Sequence, residues 1–574
     1  MITLSTMIAP ALLACAQQSG GQWSPKVEIP WNRYYTHGEL QAQMDRLDEA
    51  FPGFVSQEQI GASFEGRPMI VYTVGNHENS DPHTRPAMWV DGNVHGNEVQ
   101  GGEAVVYLAW WLLEHYEDNE RARWLLDNRT FYLLPSQNPD GRDHWFNEAN
   151  TASSSRTGTK PTDNDRDGLL DEDDYDDLNG DGEITMMRKK VEMGRGTHRL
   201  DPDDSRVMVR VSGEQQGDWL MLGYEGIDND QDGRFNEDGK GGYDMNRNWP
   251  SDWQPGHIQR GAGDYPFSYP ETEAVGRFFL RRDNIAGVQS FHNAGGMILR
   301  GPAAEGVITY PRRDIQVYDS LGAEGEGILP FYRYMVIWKD LYTVHGGFVN
   351  WTYEGLGIFS FTNEMWSRSQ LYNDAAEPPN GKDGSLFFND SVMLGQLYIP
   401  WQELEHPHYG TIEIGGYKRQ HGRVAPSFLI EEMTHRNAIF CARHAEEIAK
   451  VRFAEPVIEE MPGGLRRIRV ALENDALLPS RSAMAARENL GTPDIVTIEG
   501  VEVLAGGVMP DRWNPESFQA VDREPARLRL NDGVPGRSAG PGRVELAWIV
   551  RGDGQVTVRY SAKQADDQEI KIDV

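Results

Sequence analysis

Cysteine is nearly absent from this chain: Cys15 and Cys441 are the only two in 574 residues. With Cys15 removed or modified in a mature protein, Cys441 has no partner, so no intramolecular disulfide is expected to stabilise the fold. Positive charge is also short. The 55 Lys and Arg stand against 88 Asp and Glu, a net charge of −33, which argues against nucleic acid and against charge-driven binding to anionic membranes. The same imbalance favours divalent cations. Long apolar runs are missing as well: the N-terminal stretch Met7–Ala14 falls well short of the roughly 20 residues a bilayer span needs. Hydrophobic residues at 39% and charged residues at 25% are ordinary for a globular protein. The chain exceeds the ~250–300 residues at which a single core stops growing, so more than one domain is expected.

What is present is a set of metal-type ligands placed at strand ends. Apolar runs Met88–Val90, Thr130–Leu134, Ile285–Phe291 and Gly357–Thr362 read as buried strands, and Val99–Tyr116, Pro270–Arg282 and Ile439–Arg452 as helices. That alternation predicts an α/β fold, a mixed sheet with helices on both faces, in which ligands gather beyond strand ends. His95 and Glu98 fall at a strand-to-helix turn, and His292 closes an apolar run. Two imidazoles and one carboxylate are a zinc set that leaves a coordination position open. Glu364, a further carboxylate at a strand end, is the candidate general base, needed to take a proton from an activated water and deliver it to a leaving nitrogen.

Further motifs follow in order: Asn138-Pro139-Asp140-Gly141, Asp244-Met245-Asn246-Arg247-Asn248-Trp249, and the uninterrupted stretch Tyr342–Glu364 containing Trp351, Tyr353 and Ser360-Phe361-Thr362. Together they resemble the zinc carboxypeptidase family, the A/B-type metallocarboxypeptidases, over about residues 30 to 452. The resemblance implies one zinc per chain on His95, Glu98 and His292, with Glu364 as base. It implies that Arg188, in Met186-Met187-Arg188-Lys189-Lys190, polarises the substrate carbonyl, although Arg206 and Arg210 lie in the same insert. Asn246 and Arg247 match the pair that holds a free α-carboxylate, and Tyr342 the residue that closes over bound substrate. Val349 then falls at the floor of the side-chain pocket and, with Ile337 and Leu341 upstream of Tyr342, implies an apolar or aromatic C-terminal residue.

Two inserts depart from that pattern. In the first, about 155–240, Asp163, Asp165, Asp167 and Asp171 form a D-x-D-x-D-G loop that recurs as Asp228, Asp230, Asp232 and Asn236, with a partial copy at Asp177–Gly182. Alternating carboxylates around a glycine turn suit calcium. Eleven acids and one Arg between Asp163 and Glu183 would oppose compaction if left unneutralised. Full EF-hands are excluded, because the twelfth positions are Asp174, Gly239 and Arg188, so Asp171, Asp173, Asn236 and Asp238 are expected to close the shell. A structural role for that calcium is expected. The second insert, about Ser367–Tyr409, is rich in Asn, Pro and Gly and is expected to wall the cleft.

From about Phe453 to the end, Leu465–Glu473, Asp494–Glu502, Val544–Arg551 and Gly554–Ser561 alternate apolar and polar residues, which predicts a small all-β, sandwich-like domain at 453–574. Residues 1–29 read as an export signal and linker. Leu12-Leu13-Ala14-Cys15 resembles a bacterial lipobox with a lipid anchor at Cys15, though no Lys or Arg precedes it; cleavage near Ala16 is the alternative. The expected protein is an exported zinc metallocarboxypeptidase acting on peptide or protein C-termini. Its rivals are a cell-wall peptide hydrolase of the same fold and a non-catalytic, calcium-stabilised surface binding protein.

Overall fold

The computed structural model describes residues 24–367, 384–539 and 542–574. Its centre is an eight-stranded mixed sheet built from β1 (Val55–Ala62), β2 (Pro68–Val74), β3 (Ala87–Gly92), β4 (Thr130–Leu134), β5 (Ile285–Asn293), β6 (Met297–Arg300), β7 (Arg333–Val336) and β8 (Phe359–Met365). The spatial order is β1-β2-β4-β3-β5-β8-β6-β7. The four inner strands β4, β3, β5 and β8 run parallel. Every residue of β3, β4 and β5 is buried, as expected where helices cover both faces.

One face carries α1 (His37–Ala50), α2 (Gln100–Glu114), α3 (Glu120–Asn128), α6 (Arg312–Ile328) and α8 (Ile430–Glu446); the other carries α5 (Pro270–Arg281) and α7 (Phe348–Glu354), with α4 (Pro139–Asn147) following β4. α2 is buried from Gln100 to Leu113 because it packs on the sheet and on α1, α3 and α8 together. Such a helix is apolar on every side. No helix among the described residues is long and apolar enough to cross a membrane.

The helix expected at Ile439–Arg452 is instead Ile430–Glu446, since its buried stripe already begins at Ile430, Met433 and Thr434. Val451–Phe453 pairs antiparallel with Leu472–Asn474, so strand pairing overrides the local pattern. The two inserts, read as separate in sequence, share one six-stranded antiparallel sheet. Tyr398–His406 and Gly410–Tyr417 join Met186–Lys190, Trp219–Tyr224, His198–Leu200 and Met208–Arg210.

After residue 450 the chain forms two stacked sheets of six and four strands around Ile468, Val496, Leu546, Trp548 and Val558. The run Asp494–Glu502 is divided. Gly500, at φ +98°, turns the chain so that Asp494–Glu499 lies in the four-stranded sheet and Glu502–Val508 in the six-stranded one. Only a residue without a Cβ takes that turn without strain.

Asp314 of α6 joins the two parts. Its carboxylate, 1% exposed, accepts from the backbone N of Ala483 (3.0 Å) and Met484 (2.8 Å) at the start of a short helix, and from Tyr353 Oη (2.7 Å). Asp314→Ala leaves these donors buried without an acceptor. It is expected to cost about 2–4 kcal/mol, read as a lower Tm and urea midpoint by circular dichroism; an unchanged Tm would show that this contact carries no stability.

Candidate active site

β3 ends where the sheet order turns, and the chain passes through Asn93 (φ +63°) into the β3–α2 turn. Asn93 Nδ2 fixes that turn by donating to the carbonyls of His95 (2.7 Å) and Gly96 (3.1 Å). A Cβ at Gly96 would sit 2.3 Å from backbone atoms of Gly141 and Ser155, so glycine is required for these segments to meet. His95 and Glu98 thereby face His292, near the end of β5. Glu98 Oε2 lies 3.0 Å from His95 Nδ1 and 2.9 Å from His292 Nδ1, and the two ring nitrogens are 3.2 Å apart. All three residues are 2–3% exposed.

One proton between two facing nitrogens and one carboxylate oxygen cannot satisfy all three buried atoms; a divalent cation can, so the donor set fits zinc. Asp244 Oδ1 lies 3.0 Å from His95 Nε2. That places the ring proton on Nε2 and turns the Nδ1 lone pair toward the cluster. Arg156 brackets the same groups, with Nη1 on Glu98 Oε1 (3.1 Å) and with Nε and Nη2 on Asp244 Oδ2 (3.2 and 3.1 Å). Burial opposes the charges of Glu98 and Asp244. The two histidines hold Glu98 well below the carboxylate range regardless, and Arg156, His95 and Arg247 do the same for Asp244.

Glu364 reaches the cluster through sheet register: on β8 it pairs directly with His292 on β5. Burial and then the Glu98 charge push its carboxyl up to about 7, while His292, Arg156 and Arg423 pull the other way. It is therefore a proton acceptor held near neutrality beside the three ligands.

The cluster opens on a cleft of about 240 Å³. Val349, 5% exposed, lines it with Leu299, Ile337, Leu341 and Val344. Asn246 and Arg247 line it too, in a 3-10 turn capped by Asp244, whose Oδ1 accepts from Asn246 N (2.8 Å). The Tyr342–Val349 loop rests on that turn: Phe348 N donates to Asn246 Oδ1 (2.9 Å) and Trp249 N to Gly346 O (3.0 Å). A Cβ on Gly346 would come within 2.3 Å of Arg247 O. Tyr342, 53% exposed, stands at the lip of the cleft.

Arg188 does not reach this site. Its strand partner is Glu413, which its Nε and Nη2 contact at 2.7 and 2.6 Å, and its guanidinium is sandwiched between Trp219 (4.7 Å) and Trp401 (4.1 Å). It staples the insert sheet. Arg206 is held by Asp204 and Asp390. The cation at the cluster is Arg156, which the sequence marked only as a lone base in a Ser- and Thr-rich segment. Arg423 also lines the cleft, 3.8 Å from Glu98, and nothing in its local sequence signals this.

The acidic loops repeat one geometry. Gly168 N donates to Asp163 Oδ2 and Gly233 N to Asp228 Oδ2, both at 3.1 Å, and Gly182 N to Asp177 Oδ2 at 2.8 Å. Asp173 and Asp238 exchange backbone hydrogen bonds (3.3 and 3.2 Å), which sets the first two loops face to face. Asp238 joins Asp163 and Asp165, while Asp173 joins Asp230 and Glu237; Asp165 also gathers with Asp167 and Glu172, and with Asp232 and Glu237. Asp171 instead accepts from Thr162 N (3.0 Å), and Asn236 Nδ2 donates to Tyr224 O (3.2 Å). Lost hydration and the neighbouring Asp238 and Asp173 carboxylates push Glu172 and Glu237 up to about 7.

A family model described as zinc carboxypeptidase matches residues 40–199 and 221–383, and a domain of unknown function matches 450–573. Carboxypeptidase E of Caenorhabditis elegans is 30% identical over 140 residues, 24% of this chain and 30% of that protein. Carboxypeptidase Z of Mus musculus is 41% identical over 83 residues, 14% of this chain and 13% of that protein. The matched part thus spans less than a third of either relative. Among solved structures, carboxypeptidase A from Helicoverpa armigera aligns over 73% of this chain and 75% of its own, at 18% identity and a TM-score of 0.43.

Asp244→Asn removes the charge that orients His95 while keeping its size. Zinc affinity, measured by chelator competition, is expected to fall about 10–100-fold; unchanged affinity would show that Asp244 does not position the ligand.

Proposed function

The zinc carboxypeptidase model covers more than half of the chain, so the chain belongs to that family, and from that premise we propose a zinc metallocarboxypeptidase that removes the C-terminal residue of peptides or proteins. The observation that carries this reading is the pairing of Glu364 with His292. It sets a carboxyl that burial pushes up beside a three-ligand cluster, at a cleft that holds Arg247 as well as the apolar Val349, Leu299 and Ile337.

His95, Glu98 and His292 would hold the zinc. When bound, the metal supplies Lewis acidity for water activation and carbonyl polarisation. Arg247, with Asn246, receives the terminal carboxylate, for which a guanidinium fork is suited. Tyr342 closes from the lip of the cleft and shields the bound end from water. Val349, Leu299 and Ile337 accept the terminal side chain and favour apolar or aromatic residues. Glu364 takes a proton from the attacking water and returns it to the leaving amine, so that one carboxyl serves as base and then as acid. Arg156, rather than Arg188, is the fixed cation for the negative charge that develops on the carbonyl oxygen.

The paired acidic loops are assigned to structural calcium. Arg156 runs directly into the first loop and Asp244 leaves the second, so cations bound between the loops would hold both residues in place. The N-terminus and residues 368–383 of the second insert lie outside the described residues; for the N-terminus, export with lipidation at Cys15 is the reading.

Incubating wild type and Glu364→Gln with a mixed peptide library under mass spectrometry tests the activity. Stepwise loss of C-terminal residues, apolar and aromatic first, is expected from wild type, with a ~10²–10⁴-fold drop in Glu364→Gln at unchanged zinc content. Arg156→Ala is expected to lower kcat about 10²–10³-fold, whereas Arg188→Ala lowers Tm and leaves kcat within about twofold. No trimming by folded, zinc-loaded wild type sinks the reading. Calcium at a hundredfold above Kd is expected to add about 2.7 kcal/mol per site, read as a Tm that falls on EGTA treatment and no longer responds in the Asp165→Asn, Asp230→Asn double variant.

A further inference from the structure

Two guanidinium groups border the cleft with donors to spare. Arg247 uses Nη1 on Asn246 O (2.8 Å) and stands where the terminal carboxylate is read. Arg423 is the other. Its Nε donates to Ala152 O (3.0 Å) and its Nη1 to Asn293 O (3.1 Å); its Nη2 makes no hydrogen bond among the described residues. The side chain is 22% exposed, and it forms part of the cleft wall. Arg156 differs, since each of its three guanidinium nitrogens already donates once to Asp244 or Glu98, which fixes it at the cluster itself.

These two guanidiniums are fixed to different parts of the site. Arg247 belongs to the turn that follows Asp244 and supports the Tyr342 loop. Arg423 is tied to Asn293, next after the ligand His292, and to Ala152. Resting on the carboxypeptidase reading, the path of a substrate follows. With its terminal carboxylate at Arg247 and its last peptide carbonyl at the cluster, the chain continues past Asn293, and its penultimate side chain meets Arg423. Glu98, Glu364 and Asp244 would repel an acid there if no cation faced it, and Arg423 presents that cation with an unused, planar pair of N–H groups.

We infer that Arg423 is a specificity residue for the acyl side of the scissile bond and selects an acidic penultimate residue, so the preferred substrates end in Asp or Glu followed by an apolar residue. The site thus reads two carboxylates, one at each guanidinium. Lysine at the penultimate position is disfavoured by the same charge.

The test compares N-acylated peptides ending Glu-Leu, Gln-Leu and Lys-Leu. Wild type is expected to prefer Glu over Gln by about 5–20-fold in kcat/KM, with Lys slowest. In Arg423→Gln the Glu-to-Gln ratio falls to about one, and in Arg423→Lys it stays intermediate, because an ammonium keeps the charge without the fork. Binding gives a second readout: the acyl product ending in Glu should inhibit wild type more strongly than the one ending in Gln, and both equally in Arg423→Gln. Equal rates for the three peptides in wild type overturn the inference and leave Arg423 a staple between Ala152 and Asn293. A Glu preference surviving in Arg423→Gln with normal Tm overturns it too. Failure of zinc-loaded wild type to cleave any of the three overturns the peptidase reading and the inference with it.

Discussion

Three buried donor atoms that no single proton satisfies are the constraint on which the arrangement of this protein's centre depends. His95, Glu98 and His292 meet within 3.2 Å at 2–3% exposure, and Asp244 and Glu364 add two more carboxylates around them. Such a donor set suits a divalent cation, with fixed guanidiniums covering the carboxylate oxygens that face away from it. Arg156 does so with three hydrogen bonds to Glu98 and Asp244. Arg423 approaches the same Glu98 oxygen at 3.8 Å.

The surroundings follow from holding those groups still. The parallel pairing of β5 with β8 fixes Glu364 against His292, and the Asn93 and Gly96 turn fixes His95 and Glu98. The acidic insert completes the arrangement. Its first two loops, set face to face by Asp173 and Asp238, are the ends from which Arg156 and Asp244 are delivered. An insert that looks like an appendage in the chain is therefore mechanically continuous with the centre of the site. Both inserts share one sheet, stapled where Arg188 lies between two tryptophans and meets Glu413.

The contrast between Arg188 and Arg156 shows why motif order misleads inside an insert. A base beside two methionines and two lysines matches a family segment in letters, yet β pairing with Gly410–Tyr417 commits that side chain to the sheet. A position within an insert has no fixed distance from the motifs around it. Arg156 stands at the very start of the insert, where its segment is tied to the β3–α2 turn by Asn97 Nδ2 on Ala152 O (3.0 Å) and by Gly96 N on Arg156 O (3.0 Å).

Legible in the amino-acid order alone were the class of fold, the acid-rich loops, and the four residues that the structure gathers at the cluster, His95, Glu98, His292 and Glu364. These rest on local signals: continuous apolar runs for buried strands, short spacings at strand ends, and D-x-D-x-D-G turns whose backbone geometry is set within six residues. Asn246, Arg247, Tyr342 and Val349 were legible for the same reason, since each lies in an ungapped motif. Whatever depends on contacts between distant segments emerged from the folded chain. The face-to-face pairing of the two acidic loops groups Asp173 and Asp238, both expected from the sequence, with carboxylates of the opposite loops, and adds Glu172 and Glu237 to the groups, while Asp171 and Asn236 turn to Thr162 N and Tyr224 O. The shared sheet took Arg188 away from the cleft. Arg423 comes within reach of Glu98 from more than three hundred residues along the chain, because packing brings its segment against Asn293 and no periodicity or spacing encodes that approach.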